Sequence, residues 1–192
     1  NINGVFYTKT TDENGVASLG ISLRPGNYII TTIVDGLAMG NNVTVMPTLV
    51  TKDLDMKYLD GSDFTAQTLD GQGKPLANQN VSFNVNGVFY NKTTDENGTV
   101  RLNIWLLPGS YIITVYNPSN GEENSNKIEV LSKLVAKDMT VEYQAGKNYT
   151  VKVLDGQGKA LANQTVKINI NGVIYTKITD ENGTARLIPI LA

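Results

Sequence analysis

Residues 84–98 read Asn-Val-Asn-Gly-Val-Phe-Tyr-Asn-Lys-Thr-Thr-Asp-Glu-Asn-Gly. Nearly the same stretch begins at Asn1 and again at Asn169, so the chain repeats itself about every 84 residues. This spacing is too long for a solenoid repeat and fits one small β-domain per copy. The sequence therefore predicts a tandem array of related modules.

The residues around each copy predict where the modules divide. The second and third copies are each preceded by a Leu-Asp-Gly-Gln-Gly-Lys segment, whereas nothing precedes the first. The third copy stops where the other two continue into a Pro-Gly-x-Tyr segment. We therefore predict the C-terminal part of a module over residues 1–49, a complete module over 50–134 and the N-terminal part of a module over 135–192.

Two interpretations of the incomplete modules stay open. The chain is either a window on a longer array, or a subunit whose front part (135–192) is completed by the back part (19–50) of the next chain through strand addition. Residues 169–187 already repeat residues 1–19, so one copy would be redundant at every such joint. This redundancy favours the long array.

The composition excludes several classes of function. The chain has 192 residues, a net charge of -2 and 18% charged residues, which provides no field for gathering nucleic acid or anionic membranes. No apolar run is long enough to cross a bilayer. Cysteine and histidine are both absent, so disulfides, thiol or imidazole catalysis and ordinary zinc sites are excluded. We predict no cofactor and no metal.

Short β-branched and aromatic runs divided by Gly, Asn, Asp and Pro predict an all-β fold of tandem immunoglobulin-like β-sandwich modules, each with about seven strands. In the complete module the seven predicted strands are 51–58, 64–69, 80–85, 88–94, 99–106, 110–117 and 125–131. Alternation predicts the inward-facing residues of three of them. These residues are Phe64, Ala66, Thr68, Val81, Phe83, Val85, Val100, Leu102, Ile104 and Leu106. On the fourth strand we expect Phe89 and Thr93 to point inward, with Val88 and Tyr90 as the competing set.

Turn chemistry indicates how the strands connect. Asp95-Glu-Asn-Gly98 predicts a tight hairpin between the fourth and fifth strands, and Tyr111 after Pro-Gly is typical of a tyrosine corner. We expect a flexible loop between Asn117 and Asn124. The connectors around residues 46–53 and 131–138 are short and contain no Gly/Ser run, so we expect stiff joints and a rod.

The motifs Asn-Gly-Val-x-Tyr, Thr-Asp-Glu-Asn-Gly and Leu-x-Pro-Gly-x-Tyr together resemble the Ig-like and transthyretin-like repeats of prokaryotic cell-surface proteins. The resemblance is greatest to the adhesin-like proteins of methanogenic archaea and more distant to the collagen-adhesin B-type stalk domains of Gram-positive pili. It covers the whole chain. It implies an extracellular or cell-surface location and a stalk-forming or adhesive role.

Seven Asn-x-Ser/Thr triplets are candidate N-glycosylation sites, an excess that agrees with a surface protein. They are Asn42, Asn80, Asn91, Asn97, Asn148, Asn163 and Asn182. Asn97 and Asn182 are the best candidates because they lie in the Asp-Glu-Asn-Gly turn, whereas Asn91 is the poorest because it is expected to face inward. The alternative is that such triplets arise by chance, because turns favour Asn and strands favour Thr.

Trp105, the only tryptophan, is predicted to point away from the core beside Leu107. Two roles for this side chain stay open. It contacts a neighbouring module, a neighbouring chain or a sugar ring, or it packs over its own sheet. The Asp-Glu-Asn-Gly turn lacks the converging ligands of a calcium site, and its adjacent carboxylates do not converge across a substrate. We predict no catalytic residue.

Two functions follow as hypotheses. The first is a non-catalytic structural component of an extracellular fibre, stalk or pilus-like filament, whose partners are adjacent modules or copies of itself. The alternative is a cell-surface adhesin module that binds a glycan or host partner. Near identity between modules favours the first, because a specific site usually needs loops that differ.

Overall fold

The computed structural model describes residues 1–188, and every regular element in that range is a β-strand. The first segment forms a hairpin of β1 (Gly26–Val34) and β2 (Leu37–Val45), paired antiparallel along their whole length. Before it, only Ile2 makes bridges, to Val5 and to Ile30. The all-β prediction is confirmed.

The central segment is a two-layer sandwich of eight strands. The strands are β3 (Leu49–Thr51), β4 (Leu54–Lys57), β5 (Asp63–Thr68), β6 (Asn80–Val85), β7 (Val88–Thr93), β8 (Thr99–Asn103), β9 (Gly109–Asn117) and β10 (Glu122–Leu131). One sheet has the order β4-β10-β9-β6-β7 and the other the order β3-β5-β8. β4 forms one edge of the larger sheet, where it pairs in parallel with β10, the last strand of the segment.

The predicted strand 51–58 is wrong, because the chain changes sheets in its middle. β3 pairs antiparallel with β5, whereas β4 lies in the opposite sheet beside β10. Asp53 holds the crossing point: its Oδ1 accepts hydrogen bonds from the Lys127 backbone nitrogen at 2.9 Å and the Asn126 amide at 3.1 Å. The module therefore has eight strands rather than seven.

The central core lies between the two sheets, where alternation predicted it. The inward residues of β5 and β6 are all buried, as are Val100, Leu102 and Ile104, while Leu106 is only partly buried. Phe64 and Phe83 meet edge to face across the layers, with centroids 6.2 Å apart. Such a pair contributes about 0.5–1.5 kcal/mol beyond the burial of its area.

The predicted face of the fourth strand is wrong. β7 is an edge strand, and all six of its residues are exposed. Tyr90 lies opposite the buried Phe83, so the inner face is that of the competing set. Phe89 is on the outer face, where its ring lies 6.4 Å from that of Tyr116. Because the smaller sheet does not cover this edge, alternation on β7 buries neither face.

The Asp95 turn forms as a local structure. Gly98 N donates to Asp95 O at 2.9 Å, and Asp95 Oδ1 accepts from the backbone nitrogens of Asn97 and Thr99. The strands on its two sides belong to different sheets, so the predicted hairpin of paired strands is wrong. Gly98 has a φ of 65°, and a Cβ there would lie 2.5 Å from Thr68 O.

The tyrosine corner is confirmed, and in two copies: Tyr111 OH donates to Leu107 O at 2.8 Å and Tyr28 OH to Arg24 O at 2.7 Å. The loop predicted between Asn117 and Asn124 is shorter than expected. β10 begins already at Glu122, and the remaining residues 118–121 form a turn in which Asn117 O accepts from Gly121 N at 2.9 Å.

The third segment repeats the front strands of the central sandwich. These are β11 (Leu134–Ala136), β12 (Tyr149–Val153), β13 (Thr165–Ile170), β14 (Val173–Ile178) and β15 (Thr184–Leu187). They form a sheet β11-β12-β15 and a hairpin β13-β14 around a smaller core that includes Val151, Ile168 and Leu187. The counterpart of β4, residues 139–142, forms no strand here, and residues 189–192 lie outside the described range.

Candidate functional site

Trp105 lies at the open side of the central sandwich. β8 ends at Asn103, and the chain continues with Ile104 buried and Trp105 75% exposed. Beside it, a cleft of about 110 Å³ separates the edges of the two sheets. The cleft is lined by Val85, Tyr90, Leu102, Asn103, Ile104, Trp105 and Leu106.

The walls of this cleft are largely apolar, and Tyr90 faces it because β7 presents that residue on its inner side. Asn103 is held by a hydrogen bond from its amide to Asp63 Oδ1 at 2.9 Å. The volume is far below the roughly 300 Å³ at which small-molecule pockets begin. The cleft with its exposed indole therefore suits contact with one flat face, of a sugar ring or of another side chain, rather than enclosure of a ligand.

A second feature is a set of contacts at the joint between the central and third segments; the sequence predicted a stiff joint there but not these contacts. The turn at residues 155–158 lies so close to the loop at 57–60 that a Cβ on Gly156 would be 2.8 Å from the Asp60 Cβ. Lys133, in the connector, donates from its Nζ to Leu59 O at 3.3 Å. No sequence signal marks this contact, because a glycine at position 156 is already accounted for by the Asp-Gly-Gln-Gly turn.

Asp60 organises the central side of this joint. Its carboxylate accepts hydrogen bonds from the Lys57 nitrogen at 2.7 Å and the Ser62 nitrogen at 2.9 Å. Partial burial acts to raise the pKa of Asp60, but these hydrogen bonds and the positive charge of Lys133 outweigh it and hold the pKa below its usual value. The carboxylate stays ionised and fixes the loop against which Gly156 packs.

The other connector is also held by hydrogen bonds. Thr48 donates from its backbone nitrogen to Glu122 at 3.1 Å, and its hydroxyl accepts from the Asn120 amide at 2.8 Å. The connector thereby contacts the β9–β10 turn of the central segment. Both connectors are short: three residues, 46–48, separate β2 from β3, and two residues, Ser132 and Lys133, separate β10 from β11.

All seven candidate glycosylation asparagines are exposed, from Asn42 on β2 to Asn182 in the last described turn. Asn91 is on the outer face of β7, opposite Ser82, so the expectation that it faces inward is wrong. Asn97 and Asn182 occupy equivalent positions in the two Asp-Glu-Asn-Gly turns. Asn80 and Asn91 are diagonal neighbours on the outer face of the β6–β7 pair.

Within residues 1–188 no group of three or more acidic side chains is placed to hold a metal ion. Asp95 and Asp180 instead use a carboxylate oxygen to bind backbone nitrogens of their own turns. No helix in this described range is long and apolar enough to cross a membrane.

The sequence matches no protein-family model and no curated protein. Among solved structures it is similar to invasin, a bacterial integrin-binding protein (20% identity, 72% of this chain and 31% of that chain, TM-score 0.39). It is also similar to domains 4–9 of the surface layer protein SbsC (16%, 91% and 38%, 0.32) and to SGBP-B of Bacteroides ovatus, solved with a mixed-linkage heptasaccharide (15%, 94% and 60%, 0.34).

This chain covers less than two thirds of each of these proteins. With TM-scores below 0.5, the three likenesses carry no argument about what this chain does. The all-β sandwich assignment rests on the sheets described above.

Proposed function

We propose that this chain is a non-catalytic structural segment of an extracellular fibre, stalk or pilus-like filament made of repeated Ig-like modules. The predicted division at residues 1–49, 50–134 and 135–192 is part of this proposal. Two further predictions belong to this proposal. One is that the chain resembles the repeats of adhesin-like proteins of methanogenic archaea, and the other is that the exposed asparagines are glycosylated.

The contact of Gly156 with Asp60 carries the proposal. A module that only needed a tether would be joined by a flexible linker, whereas here a connector of two residues is combined with a turn that packs backbone to side chain on the preceding module. Lys133 adds a hydrogen bond across the same joint. A joint held in this way supports spacing and scaffolding rather than independent movement of modules.

Surface labelling of the source cells tests the proposal. An antibody raised against the central sandwich, applied to intact cells and imaged by immunogold electron microscopy, is expected to mark filaments or stalks. The same antibody, adsorbed beforehand with the purified chain, is the control. Labelling that appears only after the cells are permeabilised would overturn the proposal.

The second candidate function is an adhesin module, and the cleft beside Trp105 is the observation that favours it. Because Trp105 is the sole tryptophan, its fluorescence reports directly on that cleft. Titration with soluble cell-wall and host polysaccharides should shift the emission if a sugar ring stacks on the indole. Leu107→Ala, next to the cleft but outside its lining, is the matched control for Trp105→Ala in a binding assay. Unchanged emission across the panel would remove this role.

A further inference from the structure

The outer face of the larger sheet carries an aromatic pair that the fold leaves open to solvent. Phe89 on β7 and Tyr116 on β9 have their ring centroids 6.4 Å apart, with their planes tilted by 34°. β6 lies between these two strands, so the rings approach each other above it. Phe89 is 60% exposed. The two rings, which we call the aromatic patch, therefore form a shallow apolar surface on an otherwise polar face.

The residues beneath the aromatic patch are polar and uncharged. On β6, Asn84 lies opposite Phe89 and Ser82 lies opposite Tyr116. The amide of Asn84 is held in one orientation, because its Oδ1 accepts a hydrogen bond from Gly87 N at 2.9 Å. Aromatic rings flanked by amides and hydroxyls suit a sugar, whose C–H face packs on a ring while its hydroxyls exchange hydrogen bonds with polar neighbours.

A glycan acceptor lies beside the aromatic patch on the same face. Residues 91–93 form the triplet Asn-Lys-Thr, and all three are exposed on β7. Asn91 follows Phe89 by two residues, so the two side chains point to the same side of the sheet, about 7 Å apart along the strand. Asn91 also lies opposite Ser82, which itself lies opposite Tyr116. A sugar on Asn91 would therefore lie within reach of the patch.

The internal repeat shows that the acceptor and the complete patch occur together. Asn91 corresponds to Thr8 in the first segment and to Thr176 in the third, so neither copy has an acceptor at this position. An aliphatic residue also replaces one ring in each copy, Ile33 in the first segment and Ile174 in the third. The combination is therefore a property of the central segment and not of the common β-framework.

We propose that Asn91 carries an N-linked glycan whose first sugar packs its ring against Phe89 and Tyr116. This sugar covers apolar surface that the fold leaves in water, and it thereby stabilises the glycosylated form of the central sandwich. The inference rests on the proposed extracellular role, because such glycans are attached to exported chains. It deepens that role by naming one modified residue and the side chains that its glycan contacts.

The attachment uses an activated glycosyl phosphate as the donor. The side-chain nitrogen of Asn91 forms a bond to the anomeric carbon of the sugar, and the bond from that carbon to the phosphate oxygen breaks. The nitrogen loses one proton, and the phosphate leaves as an anion with the bonding electrons, so that no oxidant or reductant is needed. Because β7 is an edge strand, its acceptor is reached without opening the sandwich.

The first test measures whether the site is occupied. The chain is secreted from a eukaryotic cell line that N-glycosylates its exported proteins, and glycopeptide mass spectrometry gives the occupied fraction at each acceptor. We expect a glycan on Asn91, and Asn91→Gln should remove it while the occupancy of the other acceptors stays as it was. An unoccupied Asn91 overturns the inference. That outcome is independent of the immunogold labelling that tests the proposed structural role.

The second test measures whether the glycan contacts the ring. Denaturant midpoints are compared for the wild type, Phe89→Ala, Asn91→Gln and the double variant. Each is made in the secreting cell line and also in bacterial cytoplasm, where no glycan is attached. In the glycosylated set, Asn91→Gln should lower the midpoint of the wild type but not that of Phe89→Ala. In the unglycosylated set, the effects of the two changes should add.

Ile112→Ala is the matched control for Phe89→Ala. Ile112 lies on the same outer face and is also 60% exposed, but it is four residues along β9 from Tyr116, away from the acceptor. In this background, loss of the Asn91 glycan should lower the midpoint as much as it does in the wild type. A loss of equal size with and without Phe89 would show that the ring does not contact the glycan, and would overturn the inference.

Discussion

The Oδ1 atom of Asp53 accepts a hydrogen bond from the backbone nitrogen of Lys127 at 2.9 Å, at the point where the chain passes from one sheet of the central sandwich to the other. The contact joins residues 74 positions apart. It fixes β4 beside β10, the last strand of the same segment, at one edge of the larger sheet.

Asp53→Ala is expected to lower the melting temperature of the central sandwich, because it leaves the Lys127 nitrogen and the Asn126 amide without this acceptor. Thermal unfolding followed by circular dichroism measures the effect. Asp55→Ala, two residues along β4 and exposed, is the matched control and should change little. Equal shifts for the two variants would contradict the role of Asp53.

The same carboxylate predicts a pH dependence. The hydrogen bonds from Lys127 and Asn126 hold the pKa of Asp53 below its usual value. Its stabilising contribution is therefore complete above the unfolded-state pKa of about 3.9 and is lost as the pH falls through the lower folded-state pKa. Denaturant unfolding between pH 2 and 6 should show a smaller loss in Asp53→Ala than in the wild type, because Asp60, whose pKa is also lowered, still contributes in the variant.

Gly98→Ala should be among the most damaging single changes. The added Cβ would lie 2.5 Å from Thr68 O and 2.8 Å from Leu76 N, at a φ of 65°. Gly87 also has a positive φ, of 81°, but a Cβ added there would meet open space. Gly87→Ala therefore measures the cost of backbone strain alone, roughly 1 kcal/mol. Chemical denaturation should show a loss of several times that value at Gly98, and similar losses at both positions would contradict the packing.

Gly156→Ala should loosen the joint without unfolding either side of it, because its Cβ would clash with Asp60. Gly71→Ala is the matched control, since Gly71 has the same neighbours in sequence and nothing within 4 Å. Limited trypsin digestion reports on the connector through cleavage at Lys133 and Lys137. Cleavage should accelerate in the first variant only, and an unchanged rate would show that the contact does not hold the joint.

The mass of the protein from its native source, measured under denaturing conditions before and after chemical deglycosylation, tests the exposed acceptors. A decrease in mass is expected, with glycopeptides at Asn97 and Asn182 most heavily occupied because both lie in exposed turns. No change in mass would mean that these triplets are a by-product of an Asn- and Thr-rich β-fold. The same measurement distinguishes a 20.8 kDa subunit from a longer array.

The features that sequence reasoning predicted are those set by neighbouring residues. The tyrosine corner joins Tyr111 to Leu107, four positions away, and the inward face of β6 follows from a period of two. The errors lie where distant contacts decide. Nothing in the alternation of residues 51–58 marks the change of sheet, which depends on Asp53 meeting β10.

The predicted face of β7 was wrong for a similar reason. Phe89 lies on the outer face, and Val88 and Tyr90 on the inner face stay exposed because the smaller sheet does not cover this edge. In the candidate site, the exposure of Trp105 followed from its parity with Ile104, whereas the cleft beside it required the relative position of two sheets. The contact of Gly156 with Asp60 could not be predicted from the repeat, because the third segment has Ala145 at the position equivalent to Asp60.

The parallel pairing of β4 with β10 sets how the central sandwich responds to tension along the chain. A pull that enters through the connector at residues 46–48 and leaves after Leu131 first loads β3 against β5, and once β3 detaches it drags β4 and β10 in opposite directions along their length. The four register pairs from Leu54–Ile128 to Lys57–Leu131 are then sheared together rather than peeled apart singly. Resistance to stretching is therefore concentrated in this short pair of strands, and the longer β9–β10 hairpin is shielded until it fails.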